Sequence, residues 1–325
     1  MTKAALPPPT RRTFLGQLAA AALLPGDLAR GTPFDRPAKQ APFAPKPFSV
    51  QMFTKHLADF SPADVAAMAA EAGFDGLDLT VRPGGHVLPE RVADDLPKAV
   101  EAARGLGLTV PTIVTNLTRA DDPPAETILR TAAGLGVQAY RTGWLDYAAD
   151  QSIAQNVATF RRTFAGLAAL NRRHGLHGAY QNHHGGWLGA PVWDLAQVLD
   201  EHDPRFLGCQ YDLYHATVEG ADSWPLGFRR IHAHVRTIDV KDFRWVGTGR
   251  QARPETVPLG EGMVDFPKLF GWVRQLGVQP MLSLHFEYPA PTAGRGADAR
   301  GPWVARMKKD LGVLRGWLRE AGLRA

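Results

Sequence analysis

Short apolar runs recur along the chain from Phe48 onward, and each run ends in polar residues that can bind ligands. The three most informative runs lie between His177 and Asp242. They end in Gln181-Asn182-His183-His184, Asp212-Leu213-Tyr214-His215 and Asp239-Val240-Lys241-Asp242. Continuous apolar runs of this length are typical of strands that are buried on both faces, as in parallel sheets. We therefore predict parallel strands whose carboxyl ends carry the chemistry.

Amphipathic segments separate eight such runs between Phe48 and the C-terminus. Ser61-Pro62 indicates a helix start, and a Leu-Gly pair at residues 106–107, 135–136 and 276–277 indicates helix ends just before strands. This alternation predicts a single-domain (β/α)8 TIM barrel over residues 48–325. The alternative is an open doubly wound sheet, which requires a glycine-rich turn after the first strand. That position holds Thr54-Lys55-His56-Leu57 instead.

The first thirty residues have the pattern of an export signal. Arg11-Arg12 precedes an apolar stretch from Leu15 to Leu24, and the first acidic residue is Asp27. We interpret residues 1–29 as a twin-arginine signal, too short to be a stable membrane anchor, and residues 30–47 as a Pro-rich linker. The alternative is a basic disordered arm. The signal predicts a periplasmic or secreted protein.

Composition narrows the classes of partner and site. The chain of 325 residues carries a net charge of +5, part of it in the N-terminal segment, so the charge does not indicate nucleic-acid binding. Cys209 is the single cysteine, which excludes a disulfide framework and a cysteine-based zinc site. We expect a small-molecule partner and no nucleic acid, and we leave assembly into a homo-oligomer open.

Histidines concentrate at the predicted carboxyl ends of strands. Six of the eleven lie there: His56, His86, His183, His184, His215 and His285. Together with Asp212, Asp239, Lys241 and Glu287 they predict the site of a hydrolase, lyase or isomerase. A mixture of imidazoles and carboxylates favours one Mn²⁺, Zn²⁺, Co²⁺ or Fe²⁺ ion over Ca²⁺.

These motifs resemble the xylose isomerase-like barrel superfamily of sugar phosphate isomerases and epimerases, from about Phe48 onward. The most specific part is Asp212-Leu213-Tyr214-His215, which is similar to the Asp-x-x-His motif of strand six in that family. Gln181-Asn182-His183 resembles its Glu-Asn-His motif, and Asp239-Val240-Lys241-Asp242 its His-x-Lys-Asp motif. Leu259-Gly260-Glu261-Gly262 and the segment from Ser283 to Glu287 also match.

The resemblance implies one divalent metal ion held by the ends of strands five to eight. The family uses Glu, Asp, His and Glu, and the matching residues here are Gln181, Asp212, Asp239 and His285. Asp212 alone keeps the residue type of the family. Gln181 cannot accept a proton as a glutamate can, so epimerisation between two glutamates is not expected.

The resemblance and the remaining residues together predict a keto-sugar substrate and an enediolate intermediate. His183 or Glu287 would be the base, and Lys241 would stabilise negative charge or pair with its acidic neighbours. Five residues would bind hydroxyl groups: His56, Arg82, His86, Arg141 and His215. Trp187 lies in a glycine-rich loop that would either stack on a sugar or form a plain turn. The outcome would be isomerisation, epimerisation or elimination, and export favours elimination from a 3-keto-glycoside.

Two other functions are open at this point. A phosphodiesterase related to the DNA-repair endonucleases of the superfamily would need more histidine and glutamate ligands for several zinc ions, and export argues against a DNA substrate. A non-catalytic, secreted carbohydrate-binding barrel with a lapsed metal site is the stronger alternative, because the usual glutamates are replaced.

Overall fold

The computed structural model of the chain describes residues 46–289 and 297–325. The predicted export signal (1–29) and almost all of the predicted linker (30–47) lie outside these residues, so both stay predictions. Among the described residues, no helix has the length and apolar character needed to cross a lipid bilayer.

A closed parallel barrel forms the centre of the described chain. Its strands and those of a small hairpin are β1 (Val50–Phe53), β2 (Gly76–Thr80), β3 (Thr109–Val114), β4 (Ala139–Arg141), β5 (His177–Gln181), β6 (Leu207–Asp212), β7 (Val235–Val240), β8 (Asp242–Val246), β9 (Arg253–Val257) and β10 (Met281–Leu284). The barrel order is β1-β10-β7-β6-β5-β4-β3-β2. The predicted (β/α)8 barrel is confirmed, and the open-sheet alternative is wrong.

Helices between successive strands cover the barrel. In the described residues they are α1 (Pro62–Ala72), α2 (Val92–Arg104), α3 (Ala125–Gly134), α4 (Ile153–His174), α5 (Val192–Leu199), α6 (Leu213–Gly220), α7 (Trp224–Ile231), α8 (Phe266–Leu276) and α9 (Ala297–Glu320). The apolar face of α8, for example, is fully buried at Phe266, Leu269, Phe270 and Val273.

The helix boundaries follow the local chemistry of the sequence. Ser61 caps α1 by accepting a hydrogen bond from the backbone nitrogen of Asp64 at 3.2 Å, and Pro62 occupies the first helical position. Gly73 and Gly277 end α1 and α8 with φ angles of 91° and 68°. Side chains rarely adopt that left-handed conformation, which explains why glycine stands at these ends.

Two features differ from the sequence expectation. β8 and β9 form an antiparallel hairpin beyond β7, pairing Asp242 with Val257 and Val246 with Arg253. Two short helices, α6 and α7, follow β6 where one was expected. The burial pattern of β8 does not alternate, because Asp242 and Phe243 are both buried and Arg244 and Trp245 are both exposed, so the hairpin lacked the usual signal of a half-exposed strand.

The barrel strands have an apolar outer face and a polar inner face. Successive side chains of a strand point to opposite faces. Gln210 and Asp212 of β6 therefore share the barrel interior, as do Asp239 of β7 and Lys241 just after β7. Across this interior the Ser283 hydroxyl donates to Asp78 Oδ2 at 2.7 Å, which places Asp78 inside the barrel. The polar residues thus form a continuous column that ends at the carboxyl rim of the strands.

Candidate active site

The turn from β6 into α6 brings Asp212 and His215 together. Asp212 ends β6 and caps α6, since its Oδ1 accepts a hydrogen bond from the backbone nitrogen of His215 at 3.2 Å. Asn182 fixes this turn to β5: it accepts from the backbone nitrogen of Asp212 at 2.7 Å and donates to its carbonyl oxygen at 2.9 Å. As a result, Asp212 Oδ2 lies 3.4 Å from His215 Nε2.

Lys241 lies at the centre of these strand ends. Its Nζ is 3.0 Å from each of three acceptors: Asp212 Oδ2, Glu287 Oε2 and His215 Nε2. An ammonium group has three N–H donors, so every donor of Lys241 has an acceptor. The side chain is only 4% exposed, which means that the protein has replaced its hydration shell with these contacts.

A second buried anion, Asp239, is surrounded by donors from three other strand ends. Gln210 Nε2 lies 2.8 Å from Asp239 Oδ1, and Gln181 Nε2 lies 2.6 Å from Oδ2. His285 Nε2 lies 3.3 Å from Oδ1. The carboxylate is fully buried, so the two amide donors compensate its loss of water, while His285 Nε2 is at ion-pair distance without a hydrogen bond.

The amide of Gln181 joins the two anionic centres. Its nitrogen donates to Asp212 Oδ2 at 2.8 Å as well as to Asp239, and its oxygen accepts from Arg141 Nη1 at 2.9 Å. A glutamate at this position would add a third carboxylate beside the other two. Glutamine instead donates to both, which explains why an amide is compatible with this network.

The network fixes the protonation of its members. Burial alone would lower the pKa of Lys241 and of His285, but the neighbouring carboxylates outweigh it; the pKa of Lys241 is raised, and that of His285 is raised to about 9. Burial and Asp239 raise the pKa of Asp212 to about 6 against the opposing effect of Lys241. Burial would raise the pKa of Glu287, yet Lys241 and His285 hold it well below its ordinary value. Lys241 and His285 are therefore cationic at neutral pH.

Three histidines stack above Lys241, and each stays neutral. Burial lowers the pKa of His183 to about 4, and burial also lowers the pKa of His184 and His215. Lys241 donates to His215 Nε2, so His215 Nδ1 carries the proton and donates to His184 Nδ1 at 2.6 Å. His183 Nδ1 donates to the carbonyl oxygen of His184 at 2.8 Å, so the lone pair is on His183 Nε2, which has no hydrogen-bond partner among the described residues.

The strand ends do not fit a divalent metal ion in the way the sequence predicts. Gln181, Asp212, Asp239 and His285 are indeed close together, but their polar atoms contact one another or the cations Arg141 and Lys241. His285 Nε2 lies 3.3 Å from Asp239 Oδ1, although neither ring nitrogen of His285 has a hydrogen-bond partner among the described residues. Two unit charges 4 Å apart repel by about 4 kcal/mol at an effective dielectric constant of 20, so a divalent ion beside Lys241 would be repelled by roughly twice that amount.

The three histidines are a separate cluster with metal-ligand chemistry. One ring nitrogen of each lies within 4.8 Å of the others, the arrangement that neutral imidazoles offer to transition metals. However, the two Nδ1 atoms 2.6 Å apart are at hydrogen-bond distance. Two nitrogen ligands of one tetrahedral zinc ion, with Zn–N bonds of 2.0–2.1 Å, would be about 3.3 Å apart. The two Nδ1 atoms are therefore closer to each other than two ligands of one zinc ion would be.

The side of the mouth formed by β1 to β4 carries cations with free donors. Arg82 is half-buried, and its side chain makes no hydrogen bond or ion pair with residues 46–289 or 297–325. Burial lowers its pKa, while Glu287 and Asp78 raise it, which places its guanidinium near both carboxyl groups. Arg141 Nε is buried and has no partner among the described residues. Both guanidinium groups thus have N–H donors without a partner among the described residues, and that of Arg82 is partly exposed.

His56 and His86 differ in the availability of their ring nitrogens. Both nitrogens of His56 are buried and lack a partner within the described chain, and the ring packs against Phe286 and Trp303. Burial lowers the pKa of His56 to about 3, so the ring is neutral. In contrast, His86 Nδ1 lies 3.0 Å from the hydroxyl of Thr80 and its Nε2 lies 3.0 Å from the carbonyl oxygen of Leu57. The nitrogens of His86 thus join β2 to the turn after β1.

Two tryptophans form an aromatic wall beside His183. The rings of Trp144 and Trp187 lie 6.0 Å apart, and Trp144 lies 5.0 Å from the His183 ring. The guanidinium of Arg141 lies 4.7 Å over Trp144, within the range of a cation–π contact. Aromatic faces of this kind pack well against the apolar faces of sugar rings.

The comparisons with known proteins agree with this fold. The sequence model of the xylose isomerase-like TIM barrel family matches residues 66–317, most of the chain. The chain belongs to this family. The resemblance drawn from the strand-end motifs is thereby confirmed.

Solved barrels of this family are similar to the chain in fold. The 3-keto-D-glucoside 4-epimerase of E. coli has a TM-score of 0.60 at 13% identity, covering 82% of this chain and 99% of its own. The D-allulose 3-epimerase of Methylomonas sp., in complex with D-allulose, has a TM-score of 0.60 at 15% identity, covering 84% and 98%. A Mycobacterium smegmatis barrel in complex with magnesium has a TM-score of 0.54 at 16% identity, covering 83% and 98%.

A curated relative is similar over a shorter stretch. Klotho of Homo sapiens is 33% identical over 148 residues, a match that spans 41% of this chain. The chain covers only 14% of the length of Klotho. The similarity therefore concerns one part of a much longer protein.

The structure of this xylose isomerase-like barrel brings most of the predicted site residues to one rim. The predicted catalytic residues His183, Glu287 and Lys241, and the predicted metal ligands Gln181, Asp212, Asp239 and His285, surround one centre. The predicted substrate-binding residues His56, Arg82, Arg141, His215 and Trp187 border it. His86 lies beside them, but Thr80 and Leu57 occupy its nitrogens. The roles of all these residues stay predictions.

Sequence reasoning missed two residues of the site. Gln210 donates to both oxygens of Asp239, and Lys55 Nζ lies 2.7 Å from Glu287 Oε1. Gln210 could have been found from strand alternation, because it lies two residues before Asp212 and so shares its face. Lys55 comes from the turn after β1, and no local pattern relates it to Glu287.

Proposed function

We propose that this xylose isomerase-like barrel is an enzyme that acts on a keto-sugar through an enediolate. The candidate reactions are isomerisation, epimerisation and elimination, with a 3-keto-glycoside as the leading candidate substrate. The proposal is supported by one observation above all: a neutral histidine with a free Nε2, His183, lies beside the buried cationic centre of Lys241. The epimerases among the similar structures, including the one that binds D-allulose, support the substrate class.

The first step would be removal of the proton from the carbon beside the carbonyl group. His183 is the better candidate base, since its Nε2 lone pair is free, while Glu287 is held as an anion by Lys241 and Lys55. A positioned general base typically contributes a factor of about 10²–10⁴ to the rate. Lys241, with Arg141 close by, would stabilise the negative charge that develops on the enediolate oxygens.

The other half of the mouth would bind and orient the sugar. Arg82, which is half-buried, would donate to sugar oxygens, and behind it Arg141 Nε and the His56 ring nitrogens are buried without a partner among the described residues. Trp144 and Trp187 would cover an apolar ring face. The metal dependence that the resemblance implies would add Lewis acidity at the carbonyl oxygen. Because Lys241 already contacts Asp212, Glu287 and His215, none of the proposed steps relies on a metal.

The proposal includes export. Residues 1–29, with Arg11-Arg12, have the pattern of a twin-arginine signal, which would place the enzyme in the periplasm or outside the cell. We expect Arg11→Lys with Arg12→Lys to retain the protein in the cytoplasm, as measured by fractionation of cells that express the full chain. Equal periplasmic amounts of the variant and the wild type would contradict this assignment.

Proton exchange tests the enediolate without knowledge of the final product. We expect a 3-keto-glucoside in D₂O to exchange the hydrogen beside its carbonyl group in the presence of the protein, as followed by ¹H NMR. His183→Ala should slow this exchange by about 10²–10⁴-fold and leave sugar binding nearly unchanged. Glu287→Gln should retain exchange within about tenfold of wild type, if His183 is the base.

His232→Ala is the matched control, because His232 lies in a turn just before β7, at the opposite end of the barrel. It should exchange at the wild-type rate. Binding of the sugar without any exchange by the wild type would contradict the enzymatic proposal and support a carbohydrate-binding barrel.

A further inference from the structure

We infer that the ammonium group of Lys241 takes the place of a divalent cation at the ends of β5, β6, β7 and β10. Three possible metal-ligand atoms surround Lys241 Nζ, which lies 3.0 Å from Asp212 Oδ2, Glu287 Oε2 and His215 Nε2. Two carboxylates and an imidazole are the donors that Mn²⁺, Zn²⁺ or Fe²⁺ prefer in proteins. Here the same kinds of donor surround a lysine.

The geometry leaves no vacancy beside this ammonium. All three N–H donors of Lys241 have an acceptor, and its side chain and that of Asp212 are 4% and 0% exposed. A metal ion that entered this position would have to displace the lysine from Asp212 and Glu287. The metal ion and the ammonium group would then compete for the same oxygen atoms, and their like charges would repel each other at short distance.

The other donors of the rim contact one another, except that the ring nitrogens of His285 lack a hydrogen-bond partner among the described residues. Asp239 receives the amides of Gln181 and Gln210 and lies next to His285. The oxygen of Gln181 faces Arg141 instead of the centre. The neutral amide of Gln181 therefore matches the charge of Lys241. Compared with a glutamate at residue 181, it removes one negative charge from a centre whose cation is a monovalent ammonium group instead of a divalent ion.

The role of Lys241 in the reaction rests on the proposed function, whereas its occupation of the cation position does not. If the enediolate forms, the ammonium would stabilise its charge, and turnover would not require a divalent ion at this position. Metal binding can be measured without any substrate. Failure of the sugar chemistry and failure of the lysine inference are thus distinguishable.

The test compares the metal content of the full-length wild type with that of Lys241→Ala and Lys241→Met. Each protein is dialysed against Mn²⁺ or Zn²⁺, freed of unbound ions and analysed by inductively coupled plasma mass spectrometry. We expect less than about 0.1 equivalent in the wild type and about one equivalent in the lysine variants, because the variants free Asp212, Glu287 and His215 as ligands. Added metal should also raise the melting temperature of the variants and leave that of the wild type unchanged.

Lys55→Ala is the matched control, because Lys55 also contacts Glu287, at 2.7 Å, but its side chain is 52% exposed. It should gain no metal, whereas adding Asp212→Asn to Lys241→Ala should abolish the gain. One equivalent of metal in the wild type, removed by Asp212→Asn, would overturn the inference. So would folded lysine variants that bind no more metal than the wild type. The metal content of the wild type tests the inference about Lys241 even if the lysine variants do not fold.

Discussion

The two halves of the barrel mouth differ in how completely the protein satisfies its own polar groups. At the ends of β5, β6, β7 and β10, the buried charges of Asp212, Asp239 and Lys241 all have protein partners. At the ends of β1 to β4, Arg82 has no side-chain partner within the described residues, and Arg141 keeps a free Nε. In the first half the buried charges are paired, although the His285 ring nitrogens form no hydrogen bond within the described residues, whereas the second half has N–H donors of two arginines without a partner there.

This difference indicates that the two halves of the rim have different functions. A buried, fully paired network is held in a single arrangement, because any member that turns away leaves an uncompensated charge. Such a network suits electrostatic stabilisation of a developing charge, which depends on dipoles that are already in place. Unpaired N–H donors lower the stability of the free protein, and hydrogen bonds to a bound sugar would compensate this loss. The comparison predicts that mutations in the two halves affect different properties.

The largest expected effect is a loss of stability in the paired half. Asp239→Ala removes the acceptor of Gln181 and Gln210 and leaves the cation of His285 without its closest carboxylate. Breaking a buried ion pair in this way costs about 3–5 kcal/mol of unfolding free energy. Urea unfolding followed by circular dichroism measures this change.

Asp121→Ala is the control for that substitution. Asp121 pairs with Arg119 at 2.8 Å, but its side chain is 71% exposed. Exposed pairs contribute about 0–1 kcal/mol, so this variant should stay close to wild type. Equal costs for Asp239→Ala and Asp121→Ala would show that the network is not tightly paired.

A smaller effect concerns the dependence of stability on pH. The carboxylates around His285 raise its pKa from 6.5 to about 9, against the effect of burial. The folded protein therefore holds this proton more tightly than the unfolded chain does. The stabilisation is fully present below pH 6.5 and is lost as the pH rises through about 9. Its size is on the order of 3 kcal/mol at most.

His285→Asn cannot titrate, so it tests this linkage. We expect the variant to lose less stability than wild type between pH 6.5 and 9, as measured by urea unfolding at a series of pH values. His232→Asn, at the other end of the barrel, should keep the wild-type pH profile. Parallel profiles for His285→Asn and wild type would mean that the imidazole is not protonated in the folded state.

The fold and the direction of the strand ends could be predicted because they are local properties. Apolar runs, helix caps and glycine at helix ends each depend on neighbouring residues, and they were sufficient to predict the barrel. The motif from Asp212 to His215 was predicted for the same reason, since both residues belong to one turn. The roles of individual donors depend on contacts between distant strands.

Lys241 and His86 show why the details of the site were harder to predict. The contacts of Lys241 join β7, β6 and the chain after β10, so they depend on the stagger of strands around the barrel. The sequence predicted Lys241 at the rim but not its three acceptors. His86 lies at a strand end like the other histidines, yet Thr80 and Leu57 occupy both of its nitrogens. Position at a strand end therefore does not distinguish a binding residue from a structural one.

The smallest expected effect, and the one that best separates the two halves, is that of Arg82→Gln. Because the Arg82 side chain has no partner among the described residues, its loss should change the unfolding free energy by less than about 0.5 kcal/mol. Binding of a 3-keto-glucoside should weaken about tenfold, the loss of one charged hydrogen bond to the sugar. Isothermal titration calorimetry measures the binding, and urea unfolding measures the stability. Arg91→Gln is the control, since the Arg91 side chain is 52% exposed and already pairs with Asp94 and Asp95 on α2. A destabilisation by Arg82→Gln comparable to that of Asp239→Ala would remove the distinction between a paired and an unpaired half. Unchanged binding would instead mean that the sugar contacts only the paired strand ends.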